Sequence, residues 1–164
     1  MTSFMEFVSS FGDNICLALA GLVSVIFLMK KHRIEAVLFC LVLLMGLILN
    51  NTFKLLYQRP RPNISPLVVE HSYSFPSGHA MNSFIFYALL VYFSYHFFHK
   101  KSLTILMSIV AVVLVGMIGF SRVYLGVHYF TDVVAGYIAG FWWFITVLLI
   151  QHLLIFYKLY KSSE

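Results

Sequence analysis

The stretch SRVYLGVHYFTD, residues 121–132, places an arginine, a histidine and an aspartate between two long apolar runs. His128 and Asp132 are four residues apart, so on a helix their side chains would share a face. A carboxylate that binds one ring nitrogen of a histidine fixes the tautomer and leaves the other nitrogen free as a nucleophile. Arg122 carries a planar guanidinium that suits phosphate oxygens. The pattern indicates nucleophilic chemistry on an anion, with a satisfied polar loop as the ordinary alternative.

A second polar motif, FPSGHA at residues 75–80, has the features of a helix start. Ser77 is a natural N-cap, and Pro76 directly precedes it. The free amides of the first turn and the positive end of the helix dipole suit a phosphate, and the absence of a side chain at Gly78 lets a ligand approach the backbone. His79 then lies in the first turn, facing whatever is bound. The alternative is a helix cap with an incidental histidine.

Cations dominate a third motif, KLLYQRPRP at residues 54–62. The prolines stiffen this turn and restrict the directions in which Arg59 and Arg61 can point. The ordinary explanation for Lys54 and Arg61 is a pair of cations that snorkel at a helix end. The functional alternative is a binding site for a strong anion.

Together the three motifs hold the groups that phosphoryl transfer needs. Cations stabilise charge on the equatorial oxygens, one histidine can attack phosphorus, and another can protonate the leaving oxygen. No carboxylate cluster and no Cys/His spacing predicts a metal site, so the cations are expected to take the role of a metal, without any cofactor. The groups concerned are Lys54, Arg61, His79, Arg122, His128 and Asp132.

The elements that must position these groups are membrane-spanning helices. The chain has 164 residues, is 61% hydrophobic and 10% charged, and has a mean hydropathy of +0.90, whereas soluble domains are about a quarter charged. Long apolar runs without alternation argue against a β-barrel. The sequence predicts an all-α integral membrane protein, a helical bundle with one domain over residues 1–164 and a motif region at 54–132. About five helices of roughly 20 residues are expected, at 14–29 with help from 4–11, then 34–53, 80–98, 103–120 and 133–157.

Clusters of lysine and arginine predict the orientation. With five spans the clusters fall on one side, which we take as cytoplasmic, so that the N-terminus lies outside and the C-terminus lies in the cytoplasm. All three motifs then lie on the outer side, where their cations break the charge rule. An ionisable residue near membrane depth costs about 2–3 kcal/mol unless it is paired or hydrated, so it is a candidate for function. The cytoplasmic clusters are Lys30, Lys31 and Arg33, then Lys100 and Lys101, then Lys158 and Lys161.

Other features of the sequence have simpler explanations. The net charge of +5 fits clusters that face anionic lipid, and no module that reads nucleic acid is present, so the bilayer is the expected partner. Cys16 and Cys40 lie in apolar runs and are expected to be free thiols in the membrane. The Gly136-xxx-Gly140 pattern predicts close packing of two helices.

The motifs K-x6-RP, PSGH and SR-x5-H-x3-D, in this order, resemble the signature of the type 2 phosphatidic acid phosphatase family, which also includes vanadium haloperoxidases. The resemblance implies that His128 is a nucleophile that forms a phosphohistidine and that Asp132 orients it. His79 would protonate the leaving lipid alcohol and then activate water. The phosphate would be bound without a metal, by Lys54, Arg61 and Arg122 with help from Ser77 and the amide of Gly78.

The chain departs from this family in small ways. The family spacing selects Arg61 over Arg59, which stays as an alternative phosphate ligand. Many members have six spans, so the five expected here put the enclosure of the substrate in question. His71, next to Glu70 in the same loop, is a candidate for controlling access to the site.

By this resemblance the protein would be a lipid phosphatase that hydrolyses a phosphomonoester or diphosphate on a membrane lipid. Its expected location is the bacterial inner membrane, with the active site facing the periplasm or exterior. The candidate substrates are the 1-phosphate of lipid A, phosphatidylglycerophosphate, undecaprenyl diphosphate and phosphatidic acid. The alternatives are a catalytically silent protein that binds or transports a phospholipid, and a haloperoxidase, although the haloperoxidases of the family are soluble.

Overall fold

A computed structural model describes residues 1–63 and 66–161, the last seven of them by their backbone alone. All regular structure in these ranges is helical, and five stretches are long and apolar enough to span a membrane. This confirms the predicted all-α architecture, while the side chains of Lys158 and Lys161 lie outside the described residues. The helices are α1 (Thr2–Ser10), α2 (Asn14–Met29), α3 (Arg33–Tyr57), α4 (Gly78–Phe98), α5 (Lys101–Tyr124) and α6 (Phe130–Lys161).

The first span is broken into two helices. Three successive amides, those of Phe11, Gly12 and Asp13, donate to carbonyls three residues earlier, which tightens the chain into a turn at the end of α1. After this turn the two helices take different neighbours, because α1 packs against α5 and α2 packs against α3. The apolar residues before the turn therefore form a helix of their own that packs against α5, and do not only lengthen the first span.

The helices also extend further than the apolar runs. α3 continues to Tyr57 and α5 to Tyr124, while α6 begins at Phe130, so the expected loop at 121–132 is reduced to residues 125–129. Hydropathy locates the apolar centre of each helix but misses its polar end turns. Lys54, Arg122 and Asp132 lie in such end turns, on rigid backbone.

α4 is the central helix of the bundle. It packs against α3, α5 and α6, and it supplies three of the fully buried side chains of the core, Met81, Ile85 and Phe86. The other helices present large apolar side chains on the outside, as expected for surfaces that face lipid acyl chains. Both cysteines are free, Cys16 in the interior and Cys40 on the outer surface.

Two glycines of α6 allow it to approach α4 closely. A Cβ at Gly136 would lie 2.7 Å from the carbonyl oxygen of Ser77, and one at Gly140 would lie 3.0 Å from that of Met81. The close packing predicted from the Gly136-xxx-Gly140 pattern is therefore confirmed. The approach also lets the amide of Ser77 donate to the carbonyl of Asp132 at 3.0 Å, which ties the PSGH motif to the start of α6.

We expect Gly136→Ala to lower the Tm of the protein in detergent. The new methyl group would meet backbone at Ser77, so α6 would have to move away, and overpacking of this kind costs about 1–3 kcal/mol. Gly21→Ala is the matched control, because a Cβ there meets nothing within 4 Å and the change improves helix propensity by up to about 1 kcal/mol. The Tm of both variants is measured by thermal unfolding and compared with that of the wild type. A Gly136→Ala variant with the same Tm as Gly21→Ala would contradict the packing argument.

Candidate active site

The three polar motifs meet at one end of the bundle. This end is formed by the C-terminus of α3, the N-terminus of α4, the C-terminus of α5 and the start of α6. Residues 58–63 and 66–77 of one loop and residues 125–129 of another lie across it. The two are joined by the amide of Leu67, which donates to the carbonyl of Leu125 at 3.0 Å. The residues brought together are Lys54, Arg61, Ser77, His79, Arg122, His128 and Asp132.

His128 and Asp132 are both buried, with 3% and 0% of their surface exposed. Nδ1 of His128 lies 3.5 Å from Oδ2 of Asp132. The two side chains are close, as predicted, but they do not share a helix face, because His128 precedes the first residue of α6. The carboxylate instead folds back toward the loop, where its Oδ2 accepts from the amide of Tyr129 at 3.0 Å.

The neighbours of His128 indicate which ring nitrogen is free. Nη1 of Arg61 lies 3.3 Å from Nε2 of His128, and a guanidinium has only donors. Nε2 must therefore be the unprotonated nitrogen, which leaves the proton on Nδ1, facing Asp132. The lone pair of Nε2 thus points toward the cations of the site, as a nucleophile for a bound anion requires.

Asp132 has two partners that the sequence did not reveal. The hydroxyl of Ser74 donates to its Oδ2, and Nη1 of Arg59 lies 2.7 Å from its Oδ1. Arg59 also lies over the ring of Tyr129, with 4.2 Å between its Cζ and the ring centroid. Arg59 therefore holds the carboxylate that faces His128. The first of the two Arg-Pro dipeptides, at residues 59–60, marks this arginine in the sequence, but its partner Asp132 is evident only from the fold.

Ser72 joins two of the predicted phosphate ligands. Its hydroxyl accepts from Nζ of Lys54 and from Nη2 of Arg61, both at 2.9 Å, and its carbonyl accepts from Nε of Arg61 at 2.7 Å. Nη1 of Arg61 also donates to the carbonyl of Val127 at 2.8 Å. Arg61 is thus fixed by backbone on two sides, while Lys54 is held by one hydroxyl.

Arg122 is the most deeply buried cation of the site, with 4% of its surface exposed. Its Nη1 donates to the hydroxyl of Ser9 at 2.7 Å and its Nη2 is paired with Glu70. Its Nε is buried without a hydrogen-bond partner among the described residues, so it offers a donor to an incoming anion. Glu70, which belongs to none of the three sequence motifs, also has its Oε2 3.6 Å from Nη2 of Arg61.

The PSGH motif starts α4 as predicted. Ser77 is its N-cap and accepts from the amide of Ala80 at 3.4 Å. A Cβ at Gly78 would lie 3.0 Å from Oδ1 of Asn50, so the space beside this glycine is filled by a buried asparagine. His79 follows in the first turn, with 17% of its side chain exposed, and its Nε2 lies 3.9 Å from Oδ2 of Asp13.

An open groove of about 630 Å³ lies beside this cluster. His71, Ser72 and Tyr73 line one part of it, and the cations Lys54 and Arg61 line another. The position of His71 is compatible with a role in access, which stays a prediction. Among the described residues, no group of three His, Cys, Asp or Glu side chains is arranged to hold a metal ion.

The protonation of His128 predicts how activity should depend on pH. Burial lowers its pKa below the ordinary 6.5, and the hydrogen bond to Asp132 opposes this only in part, while further lowering comes from Arg61, Arg122 and Lys54. A lowered pKa keeps the imidazole neutral at pH values at which a free histidine is protonated. We therefore expect the acidic limb of kcat/KM to lie below pH 6.5.

The measurement is kcat/KM for a lipid phosphate between about pH 4.5 and 8. The ionisation of the substrate phosphate is followed separately by ³¹P NMR and divided out. If the limb stays centred above pH 6.5 after this correction, the group that titrates is not His128.

Comparison with known proteins agrees with the geometry. The chain is 43% identical over 98 residues to phosphatidylglycerophosphatase B of Bacillus subtilis (strain 168), a match that covers 57% of this chain and 46% of the relative. The chain therefore matches less than half the length of this relative. The crystal structure of a transmembrane PAP2-type phosphatidylglycerolphosphate phosphatase from Bacillus subtilis has a TM-score of 0.85 at 32% identity, covering 92% of this chain and 76% of that chain.

A second solved structure supports the fold alone. Aquifex aeolicus LpxE has a TM-score of 0.68 at 23% identity, covering 90% of this chain and 84% of that chain. The sequence model of the PAP2 superfamily matches residues 35–155, a range that includes all three polar motifs and most of the helices that carry them. The chain belongs to the PAP2 superfamily, the family that its three motifs resemble.

Proposed function

We propose that this protein is an integral-membrane lipid phosphatase that works through a phosphohistidine on His128. The observation that carries the proposal is the contact of Arg61 with Nε2 of His128, together with the contact of Nδ1 with Asp132. These contacts leave an unprotonated nitrogen among cations that can bind a phosphate. A histidine that served only to pack the interior would need no such orientation.

The proposed reaction has two steps. In the first, Nε2 of His128 attacks phosphorus, the bond from phosphorus to the lipid oxygen breaks, and His79 gives a proton to the departing oxygen. In the second, water attacks phosphorus, the bond from phosphorus to Nε2 breaks, and His79 takes the proton from water. Arg61, Arg122 and Lys54 stabilise the charge on the phosphoryl oxygens in both steps, in the place that a metal ion takes in other phosphatases.

Phosphatidylglycerophosphate is the substrate that we propose first. The support is similarity to phosphatidylglycerophosphatase B of Bacillus subtilis, at 43% identity over 98 residues, and to the crystal structure of a phosphatidylglycerolphosphate phosphatase from the same species, at 32% identity over most of the chain. The 1-phosphate of lipid A, undecaprenyl diphosphate and phosphatidic acid are the other candidates, since the same cations would bind any terminal phosphate.

We also propose that the site faces the outside of a bacterial inner membrane, with the N-terminus outside and the C-terminus in the cytoplasm. The turn between α2 and α3 and the turn between α4 and α5 carry lysine and arginine clusters, and both lie at the end of the bundle opposite the site. The positive-inside rule then supports a cytoplasmic position for these turns. A lipid phosphate of the outer leaflet would reach His128 without leaving its headgroup layer.

The function is tested by phosphate release from the four lipids in detergent, with and without EDTA. Release from phosphatidylglycerophosphate that survives EDTA would support both the substrate and a reaction without a metal ion. Release that EDTA abolishes would overturn the metal-independent mechanism. Stoichiometric binding of these lipids by folded protein, with no release from any of them, would support the silent-binder alternative instead.

The orientation is tested with single cysteines in a background in which Cys16 and Cys40 are replaced by serine. Asn63→Cys lies in the loop of the site and Lys101→Cys at the opposite end, and both positions are exposed. We expect a membrane-impermeant maleimide to label Asn63→Cys in whole cells and Lys101→Cys only after lysis. The reverse pattern would invert the proposed topology.

A further inference from the structure

The proposed acid, His79, lies in surroundings that disfavour its working form. A general acid must hold a proton before the leaving oxygen departs, but cations of three other segments face this histidine. The nearest carboxylate among the described residues is that of Asp13, whose Oδ2 lies 3.9 Å from Nε2 of His79. The charged and titratable groups around His79 are Lys54 of α3, Arg61 and Glu70 of the first loop, Arg122 of α5, His128 of the second loop, Asp132 of α6 and Asp13 of the turn between α1 and α2.

The turn that carries Asp13 is packed firmly against the site. A Cβ at Gly12 would lie 3.3 Å from Cδ2 of His79, so the glycine lets the turn lie directly on the imidazole ring. The hydroxyl of Tyr87 donates to the carbonyl of Phe11 at 3.3 Å. Just before the turn, Ser9 accepts from Arg122. Contacts with α4 and α5 therefore fix the turn on both sides.

We propose that Asp13 is a positioning residue for His79, an inference that rests on the proposed phosphatase function. Its carboxylate would hold Nε2–H and stabilise the protonated ring, which leaves Nδ1 to give its proton to the departing lipid oxygen. In the second step Nδ1 takes a proton from water, and Asp13 again stabilises the imidazolium that forms. His79 and Asp13 thus form a second histidine–carboxylate pair beside that of His128 and Asp132.

This assignment gives the N-terminal segment a chemical role. Asp13 and Ser9 both precede residue 35, where the match to the family model begins. The segment before α2 therefore adds two side chains to the site from outside the matched region. Asp13 lies beside the proposed acid His79, and Ser9 accepts from the proposed phosphate ligand Arg122. An anchor that only held the chain in the bilayer would need neither contact.

The test compares two leaving groups. A lipid alkoxide needs a proton to leave, whereas p-nitrophenolate leaves without one. An impaired acid therefore slows the departure of the lipid alkoxide but not that of p-nitrophenolate. We expect Asp13→Asn to lower kcat/KM, which reports the steps up to departure of the leaving group, about tenfold or more for a dialkylglycerol phosphate, a part of the roughly 10²–10⁴-fold that a general acid contributes. We expect less than about a twofold change in kcat/KM for p-nitrophenyl phosphate, and a shift of the alkaline limb of kcat/KM for the lipid to lower pH.

Two further variants complete the design. Asp13→Glu keeps the carboxylate and should restore at least part of the lost kcat/KM, while Glu6→Gln removes an exposed acid of α1 and should leave the turnover of both substrates unaffected. Equal losses of kcat/KM on both substrates for Asp13→Asn, without a change in the pH profile, would overturn the proposal. Wild-type protein that is folded but releases no phosphate from these two substrates or from the four candidate lipids would instead refute the phosphatase function itself.

Discussion

Replacement of His128 by alanine is expected to reduce phosphate release from the lipid substrate by at least about 10³-fold, because the proposed phosphohistidine cannot form without this imidazole. The loss should be in kcat rather than KM, since the proposed phosphate ligands Lys54, Arg61 and Arg122 remain. The expected KM therefore stays within about threefold of that of the wild type. Steady-state kinetics in detergent measure both parameters.

The matched control is His152→Ala, at an exposed position near the far end of α6. It should leave turnover unchanged. A second arm detects the intermediate with ³²P-labelled p-nitrophenyl phosphate, whose leaving group needs no acid. His79→Ala should accumulate acid-labile label because the activation of water is lost, and the double variant with His128→Ala should not. Full activity of His128→Ala would refute the proposed mechanism.

Asp132→Asn is expected to lower kcat by about 10³–10⁴-fold, similar to the loss in a serine hydrolase triad after the same change. The amide cannot hold the Nδ1 proton as a carboxylate does, and Nε2 is then no longer kept free for attack. The change also leaves Arg59 without its buried partner, so the Tm is measured together with kcat. A variant that keeps the wild-type Tm and loses activity separates the orientation of His128 from stability.

Arg59→Ala tests whether this arginine acts on the carboxylate or on the substrate. Asp132 would keep its bonds to Ser74 and to the amide of Tyr129, so we expect only about a tenfold fall in kcat, with little change in KM. A large rise in KM for the lipid phosphate would favour Arg59 as a phosphate ligand. That result would contradict the role that its 2.7 Å contact with Asp132 indicates.

Some parts of this site follow from local sequence and others do not. The spans follow from apolar runs of bilayer length, the cap at Ser77 follows from its hydroxyl before a helix, and the close approach of α4 and α6 follows from Gly136 and Gly140. Such signals depend on residues within a few positions of one another. They predict the helices and the helix ends at which the polar side chains of the site lie.

The second layer of contacts depends on segments far apart in the chain. Arg59 and Asp132 are separated by 73 residues, and Ser9 and Arg122 by 113. No local pattern links such pairs. The break at residues 11–13, which places Asp13 beside His79, is also hidden in the sequence, because residues 2–29 are apolar enough to count as one span. Composition offered a signal for Glu70 and Asp13. The chain has only six acidic residues, so each carboxylate is a candidate partner for the cations of the site.

The pairing of Glu70 with Arg122 and Arg61 has a consequence for the thermodynamics of the site. In the proposed reaction, a phosphate at these arginines would take donors from a carboxylate already in place, so binding would be an exchange of one anion for another. The affinity for phosphate would then measure a difference between two ion pairs, and it would be lower than the number of cations alone would give. After the proposed second step the carboxylate would return to the arginines, which would favour the release of inorganic phosphate and limit inhibition by the product.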